Sequence, residues 1–256
     1  MPKPFVFDRP RQAELRDASI EFLRSVIAHW KSPLGLNTAL DLGCGVGHFS
    51  AVLQENGFAA TGADARVENI EEAKSRHPGI VFRVADAEDP AISLLGKFDL
   101  VVCFGLLYHL ENPLRAMRNL RCLTDKLLLL GSLMVAEGEP FLLLLDEPPG
   151  ADQSLRAVSC YPSEGAIIKM AYRAGFPHAY RFRELPDHED FREGVGRARA
   201  RTMIAASVPA LDSPMVVPAP EPSLPRDLWT TDPTGVTRIL RRLHGNLKAS
   251  RKKWRT

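Results

Sequence analysis

The sequence predicts an α/β fold: a doubly wound sheet of seven strands with an antiparallel last strand and helices on both faces. An N-terminal helix and a C-terminal basic helix are added to it. Three observations carry that prediction. From Thr38 onward short apolar runs alternate with amphipathic segments, the rhythm of strands joined by crossover helices. The first run leads directly into a glycine turn, Gly43-Cys44-Gly45-Val46-Gly47, and then into a helical segment. The chain has 256 residues, 45% hydrophobic and 25% charged, enough for one large core and incompatible with wholesale disorder.

Taken in order, Leu15, Ile20, Phe22, Leu23, Val26 and Ile27 recur at close to a helical period until Lys31-Ser32-Pro33 ends the pattern, which makes residues 1–34 a helical cap. Strands are expected at 38–42, 59–63, 80–85, 98–104 and 126–135, with helices at 48–56, 67–76, 90–95 and 113–123 between them. The rhythm then changes. An apolar run at 141–145 precedes a Pro/Gly turn cluster at 147–153, and an amphipathic helix at 163–174 ends at Gly175. Residues 180–184 and 201–207 are expected to pair as an antiparallel hairpin across a polar connection, closing a main domain at 35–208. Six prolines between Pro209 and Pro225 indicate an extended linker over 209–225. Beyond it, Asp232-Pro233 has the form of an N-cap and first helical residue, followed by the stripe Val236, Ile239, Leu240, Leu243 and Leu247.

The charges nearly cancel, 33 Lys and Arg against 31 Asp and Glu, but they are unevenly placed. Residues 226–256 hold nine basic and two acidic side chains, while the rest of the chain is mildly acidic. This tail is suited to RNA or an anionic surface; its apolar stripe suits an interfacial helix as well, and a solvated helix face is the plain alternative. Aromatic interleaving is thin, only Trp229 and Trp254. Cys44, Cys103, Cys122 and Cys160 show no paired spacing, so reduced thiols are expected, and no metal site. The opening MPKPFVFDRP lacks a basic segment followed by an apolar one, and no apolar run is long enough to span a bilayer. A soluble, cytoplasmic protein is the expectation.

The segment Leu40-Asp41-Leu42-Gly43-Cys44-Gly45-Val46-Gly47-His48 carries the most chemistry. Glycines let a backbone adopt positive φ and approach a ligand closely, and a helix amino end offers free N–H donors. Asp64 ends the next strand, where a carboxylate can accept ribose hydroxyls. The dinucleotide pattern GxGxxG fails, because its third glycine position falls on His48. Asp41 would also sit awkwardly beside a pyrophosphate, whereas it suits a cationic ligand.

The loop resembles the first motif, D/E-x-G-x-G-x-G, of class I S-adenosylmethionine-dependent methyltransferases. The resemblance implies that Asp41, Gly43, Cys44, Gly45 and Gly47 surround the methionine part of S-adenosylmethionine and that Asp64 holds its ribose. Val84-Ala85-Asp86-Ala87 is similar to the segment that contacts adenine, with Asp86 accepting from the exocyclic amine and Ala87 beside it. Phe98-Asp99-Leu100-Val101-Val102-Cys103-Phe104-Gly105 is similar to the fourth-strand motif, which brings Phe104 to the cofactor and leads into Leu107-Tyr108-His109-Leu110. His109 and Tyr108 are thereby the candidate catalytic residues. His109 serves as a base, or both rings only pack over the cofactor while proximity does the work. The implied reaction is in-line displacement at a sulfonium methyl, onto oxygen or nitrogen of a small sugar-like or natural-product-like metabolite.

The motif of amino-methylating nucleic-acid enzymes is absent after the fourth strand, where Phe104-Gly105-Leu106-Leu107 stands, and there is no Pro-Cys pair. A weaker resemblance of layout, over residues 126–176 with Cys160-Tyr161-Pro162-Ser163 and Arg173-Ala174-Gly175-Phe176, connects the chain to the wobble-uridine tRNA carboxymethyltransferases. It keeps tRNA modification through the basic tail as an alternative; a non-catalytic cofactor-binding protein is a second. The insertion at 137–164 is expected to act as a lid over the acceptor.

Overall fold

The computed structural model describes residues 5–135, 139–147, 154–192 and 200–223. The basic tail at 226–256, with its expected helix, lies outside the described residues. The expected alternation is present: α1 (Pro10–Trp30), β1 (Thr38–Leu42), α2 (His48–Glu55), β2 (Ala59–Asp64), α3 (Val67–Arg76), β3 (Val81–Val84), β4 (Phe98–Phe104), α4 (Pro113–Leu123) and β5 (Thr124–Met134). Then follow β6 (Leu142–Asp146), β7 (Val158–Pro162), α5 (Glu164–Ala174), β8 (His178–Phe182), β9 (Ala200–Ser207) and β10 (Val216–Pro218).

The main sheet runs β10-β8-β9-β5-β4-β1-β2-β3. β1 to β5 are mutually parallel, and β9 runs antiparallel to both β5 and β8. The sheet is therefore mixed and has eight strands where seven were expected. The eighth is β10, which lies inside the proline-rich segment and pairs antiparallel with β8. Proline is tolerated in a strand at a sheet edge, where one side of the backbone makes no ladder. Pro218 occupies such an edge position opposite Tyr180.

Side chains alternate across the central strands, so each strand feeds two cores. On one face Leu100, Val102, Leu127 and Leu129 meet Phe22, Leu23 and Trp30 of α1 and Leu53 of α2. On the other, Val101, Leu128 and Leu130 meet Met117 and Leu120 of α4 and Ile167 and Ile168 of α5. Each fully buried Leu or Ile contributes roughly 1.5–3 kcal/mol of transfer free energy. α1 is thus a layer of the domain rather than an appendage. β6 and β7 form a separate antiparallel hairpin, a pairing that the sequence pattern did not reveal.

β1 has β2 on one side and β4 on the other. The chain leaves the sheet centre in one direction through β2 and β3 and resumes on the other side with β4. The crossover segments part at that reversal and leave a crevice at the carboxyl ends of β1 and β4, the place where open α/β sheets bind ligands.

Candidate functional site

A cavity of about 360 Å³ opens at this crevice. Eight of the residues singled out by sequence line it: Gly43, Cys44, Asp64, Asp86, Ala87, Phe104, Tyr108 and His109. They come from the ends of β1 to β4 and the turn after β4. The structure therefore gathers residues of all these motifs around one cavity.

Asp41, Gly45 and Gly47 do not line the cavity. The Asp41 side chain points beneath the loop, 1% exposed, where Ser50 Oγ donates to it at 2.7 Å. Burial pushes its pKa up to about 7, against the opposing pull of the Ser50 hydrogen bonds. Gly45 has φ +53°, and a Cβ there would lie 2.7 Å from the ring of Phe7, which itself lines the cavity. Phe7 is held over the turn by Asp8, which receives two hydrogen bonds from the Arg76 guanidinium and contacts His48 Nε2 at 3.1 Å.

Four N–H groups of the glycine turn are already engaged within the fold. Gly43 N and Cys44 N both donate to Ala63 O, Gly45 N donates to Asp64 Oδ2, and Gly47 N donates to Cys44 O. The turn presents Gly43 to the cavity with the Leu106 side chain packed over it, and Asp64 and Asp86 bring carboxylates to the same lining. Asp64 Oδ1 also accepts from Arg66 N and Asn69 Nδ2. Of about four lone-pair positions on a carboxylate, one remains for a ligand donor. Asp86 accepts from Glu88 N at 2.8 Å and pairs with Arg156 at 3.1 Å.

Four residues at the cavity or against its wall were not anticipated as site residues. Glu147, at the end of β6, holds both carboxylate oxygens 3.2 Å from His109 Nδ1 and is 4% exposed. Ser154 N and Ser159 Oγ each donate to its Oε2 at 3.1 Å, so the hairpin fixes the carboxylate. A carboxylate opposite Nδ1 assigns the proton to that nitrogen and leaves a lone pair on Nε2. His109 Nε2 is buried without a hydrogen-bond partner. Desolvation, opposed by Glu147 and aided by Arg201 and Arg66, lowers the His109 pKa below the ordinary histidine value, so the ring is neutral at pH 7.

Arg156, just before β7, donates to Glu88 at 2.9 Å and to Asp86, and lies 3.4 Å from Glu111. It fastens the hairpin to the segment after β3. Tyr161 of β7 stacks on Tyr108, with centroids 5.9 Å apart and planes at 18°. Arg201, at the start of β9, reaches Tyr108 Oη at 3.3 Å and lies 5.5 Å from the centre of that ring. These residues are 38 or more positions from the partners they meet at Tyr108 and His109. Local spacing carries no signal for such pairs.

Among the described residues no group of three or more His, Cys, Asp or Glu is arranged to hold a metal ion, and no helix is long and apolar enough to cross a membrane.

Residues 10–177 match the family model described as "Methyltransferase domain". Among curated proteins, the ubiquinone biosynthesis O-methyltransferase of Caulobacter vibrioides is 33% identical over 113 residues, 42% of this chain and 44% of that protein. The enzyme of the same name from Pseudomonas paraeruginosa is 30% identical over 96 residues, 34% and 40% of the two chains. The matched stretch spans less than half the length of these relatives. Among solved structures, the N-terminal domain of EvdMO1 with SAH bound superposes with a TM-score of 0.60 at 20% identity, covering 73% of this chain and 80% of that one. Magnesium protoporphyrin IX methyltransferase (ChlM) from Synechocystis PCC 6803 with bound SAM gives 0.52 at 20% identity, covering 78% and 84%. At these identities the likeness is one of fold.

Proposed function

This chain belongs to the methyltransferase-domain family, a class I S-adenosylmethionine-dependent enzyme, and we propose that it methylates a hydroxyl oxygen of a small molecule bound beside His109. The observation that carries this reading is the buried, unpartnered Nε2 of His109, oriented from behind by Glu147. The name of the curated relatives, O-methyltransferase, supports oxygen as the acceptor atom.

The residues present fit the cofactor. Gly43 brings backbone with no side chain of its own to the cavity, and Asp64 and Asp86 line it with carboxylates suited to a ligand's hydroxyl and amino donors. Asp64 would hold the ribose, Asp86 and Ala87 would flank the adenine, and Phe104 would lie along the reacting end. Asp86 can take an amine through the lone pairs that Arg156 and Glu88 N leave open. S-adenosylmethionine supplies an electrophilic methyl on a sulfonium.

The protein's own part is to bring the acceptor to that methyl, exclude water and take a proton. His109 Nε2 accepts the hydroxyl proton, becoming imidazolium as the acceptor oxygen gains its methyl. Glu147 keeps Nδ1–H pointed away from the substrate and stabilises the cation that forms. The hairpin of β6 and β7 acts as the lid, since it brings Arg156 to the cavity and sets Glu147 and Tyr161 against His109 and Tyr108.

Calorimetric titration with S-adenosylhomocysteine and NAD in parallel tests the cofactor: micromolar binding of the first and none of the second is expected. Transfer of a trideuterated methyl to a panel of phenols, hydroxy acids and sugars, read by mass spectrometry, then tests the acceptor. His109→Ala should lower turnover by roughly 10²–10⁴-fold with S-adenosylhomocysteine affinity retained. Equal loss of both would assign His109 to packing alone.

A further inference from the structure

Arg201 is a charged residue of the cavity wall with no part in the proton transfer or in holding the cofactor. It stands at the mouth of β9, opposite Leu133 of β5, and its side chain is 12% exposed. A guanidinium has five N–H donors and keeps its charge when buried. Here Nη2 donates to Tyr108 Oη at 3.3 Å. Nε lies 3.5 Å from Asp190 Oδ2, and that buried nitrogen has no hydrogen-bond partner. Asp190 is divided, since Arg11 also approaches it at 3.6 Å. Arg201 thus sits in the wall with one long ion pair and a donor left over, an arrangement that costs free energy unless something else accepts.

The second orphan in the same cavity is His109 Nε2. The two are joined through Tyr108. Its ring centroid is 4.2 Å from that of His109, and the Arg201 guanidinium lies 5.5 Å from the Tyr108 ring. One wall therefore presents a forked cation and, about one aromatic ring away, a neutral imidazole with its lone pair free. Phe104, Met203 and Phe191 complete that part of the lining with apolar surface.

We propose that the methyl acceptor is a small hydroxy acid whose carboxylate is received by the Arg201 guanidinium while its hydroxyl lies at His109 Nε2. A carboxylate matches the guanidinium fork in two parallel hydrogen bonds, and the apolar lining favours an aromatic or branched body between the two polar ends. Arg201 also adds to the depression of the His109 pKa. A bound carboxylate offsets that cation and strengthens His109 as a base, so the acid would be both selected and activated by the same contact. Arg201 is in this sense a specificity-determining residue.

The proposal rests on the cavity being a methyl-acceptor site, and the test separates the two. The full chain is saturated with S-adenosylhomocysteine, whose failure to bind would remove the underlying reading itself. The loaded protein is then titrated with 4-hydroxybenzoate, 3,4-dihydroxybenzoate and 4-hydroxymandelate, each beside its primary amide. At least one acid should bind ten times or more as tightly as its amide. That ratio should fall towards one in Arg201→Gln, with S-adenosylhomocysteine affinity retained, and be partly restored in Arg201→Lys. The wild-type ratio needs no variant, so misfolding of Arg201→Gln would leave the test intact. Equal binding of acids and amides, binding of neither, or a ratio that survives Arg201→Gln in a folded protein would overturn the proposal. A loss of S-adenosylhomocysteine affinity in the folded variant would assign Arg201 to the cofactor and overturn it equally.

Discussion

Replacing Asp41 by asparagine should make the stability of the domain less sensitive to pH. The Asp41 carboxyl is buried beneath the glycine turn, with Ser50 Oγ as its hydrogen-bond donor. Burial raises its pKa from 3.8 to about 7. A raised carboxyl pKa means that the folded state holds a proton that the unfolded chain has released. Stability is therefore unpenalised below about pH 4 and falls as pH rises through 7. At 1.36 kcal/mol for each pKa unit, the full penalty is about 4 kcal/mol, of which about 2.5 kcal/mol develops between pH 5 and pH 8. Asparagine keeps an acceptor for Ser50 and cannot ionise. Its amide introduces buried donors, whose cost is independent of pH, so the readout is the change in the difference between variant and wild type. That difference in Tm should move in favour of Asp41→Asn by roughly 5–10 °C between pH 5 and pH 8, measured by calorimetry at fixed ionic strength. A difference that stays constant across this range would show that Asp41 titrates alike in both states and would refute the argument.

Asp64→Ala removes the acceptor for Gly45 N, Arg66 N and a ligand donor; S-adenosylhomocysteine affinity should fall by about 1.5–3 kcal/mol, and unchanged affinity would remove Asp64 from the ribose site. Glu147→Gln removes a contact that raises the His109 pKa, so the acid limb of the kcat/KM profile should move to lower pH. Turnover should drop roughly ten- to a hundredfold with the loss of ring orientation; a profile that moves to higher pH would contradict the dyad. Gly45→Ala places a Cβ at φ +53°, 2.7 Å from the Phe7 ring, and should cost about 1–2 kcal/mol from the backbone alone. Urea denaturation measures it, and an unchanged midpoint would mean that residue 45 does not hold the left-handed conformation.

Much of the site was legible because its parts are local. A glycine turn between strand and helix, an acid at the end of the next strand, and a Tyr-His pair after the fourth are each specified within a few residues. The sheet then brings the strand ends together, so Gly43, Asp64, Asp86, Phe104 and His109 reach one cavity. What each group does there was less legible. Asp41 belongs to the same motif, yet pleating turns it to the buried side beneath the loop, toward Ser50 rather than the ligand. The N–H groups of Gly43, Cys44 and Gly45 look free in sequence and are taken by Ala63 O and Asp64. Strand β10 was hidden because prolines in a row suggest a linker, whereas one of them fits a sheet edge.

The sequence by itself determined the alternating architecture, the location of the crevice and the class of ligand it receives. Those follow from periodicity and from backbone conformations that only glycine adopts readily. Tertiary structure alone decided what surrounds the Tyr108–His109 pair. Glu147 behind His109 and Arg201 over Tyr108 are contacts across 38 and 93 residues, created when a hairpin and an antiparallel strand fold back over the carboxyl ends of the sheet. Contacts between such distant positions arise from packing, and no spacing along the chain encodes them.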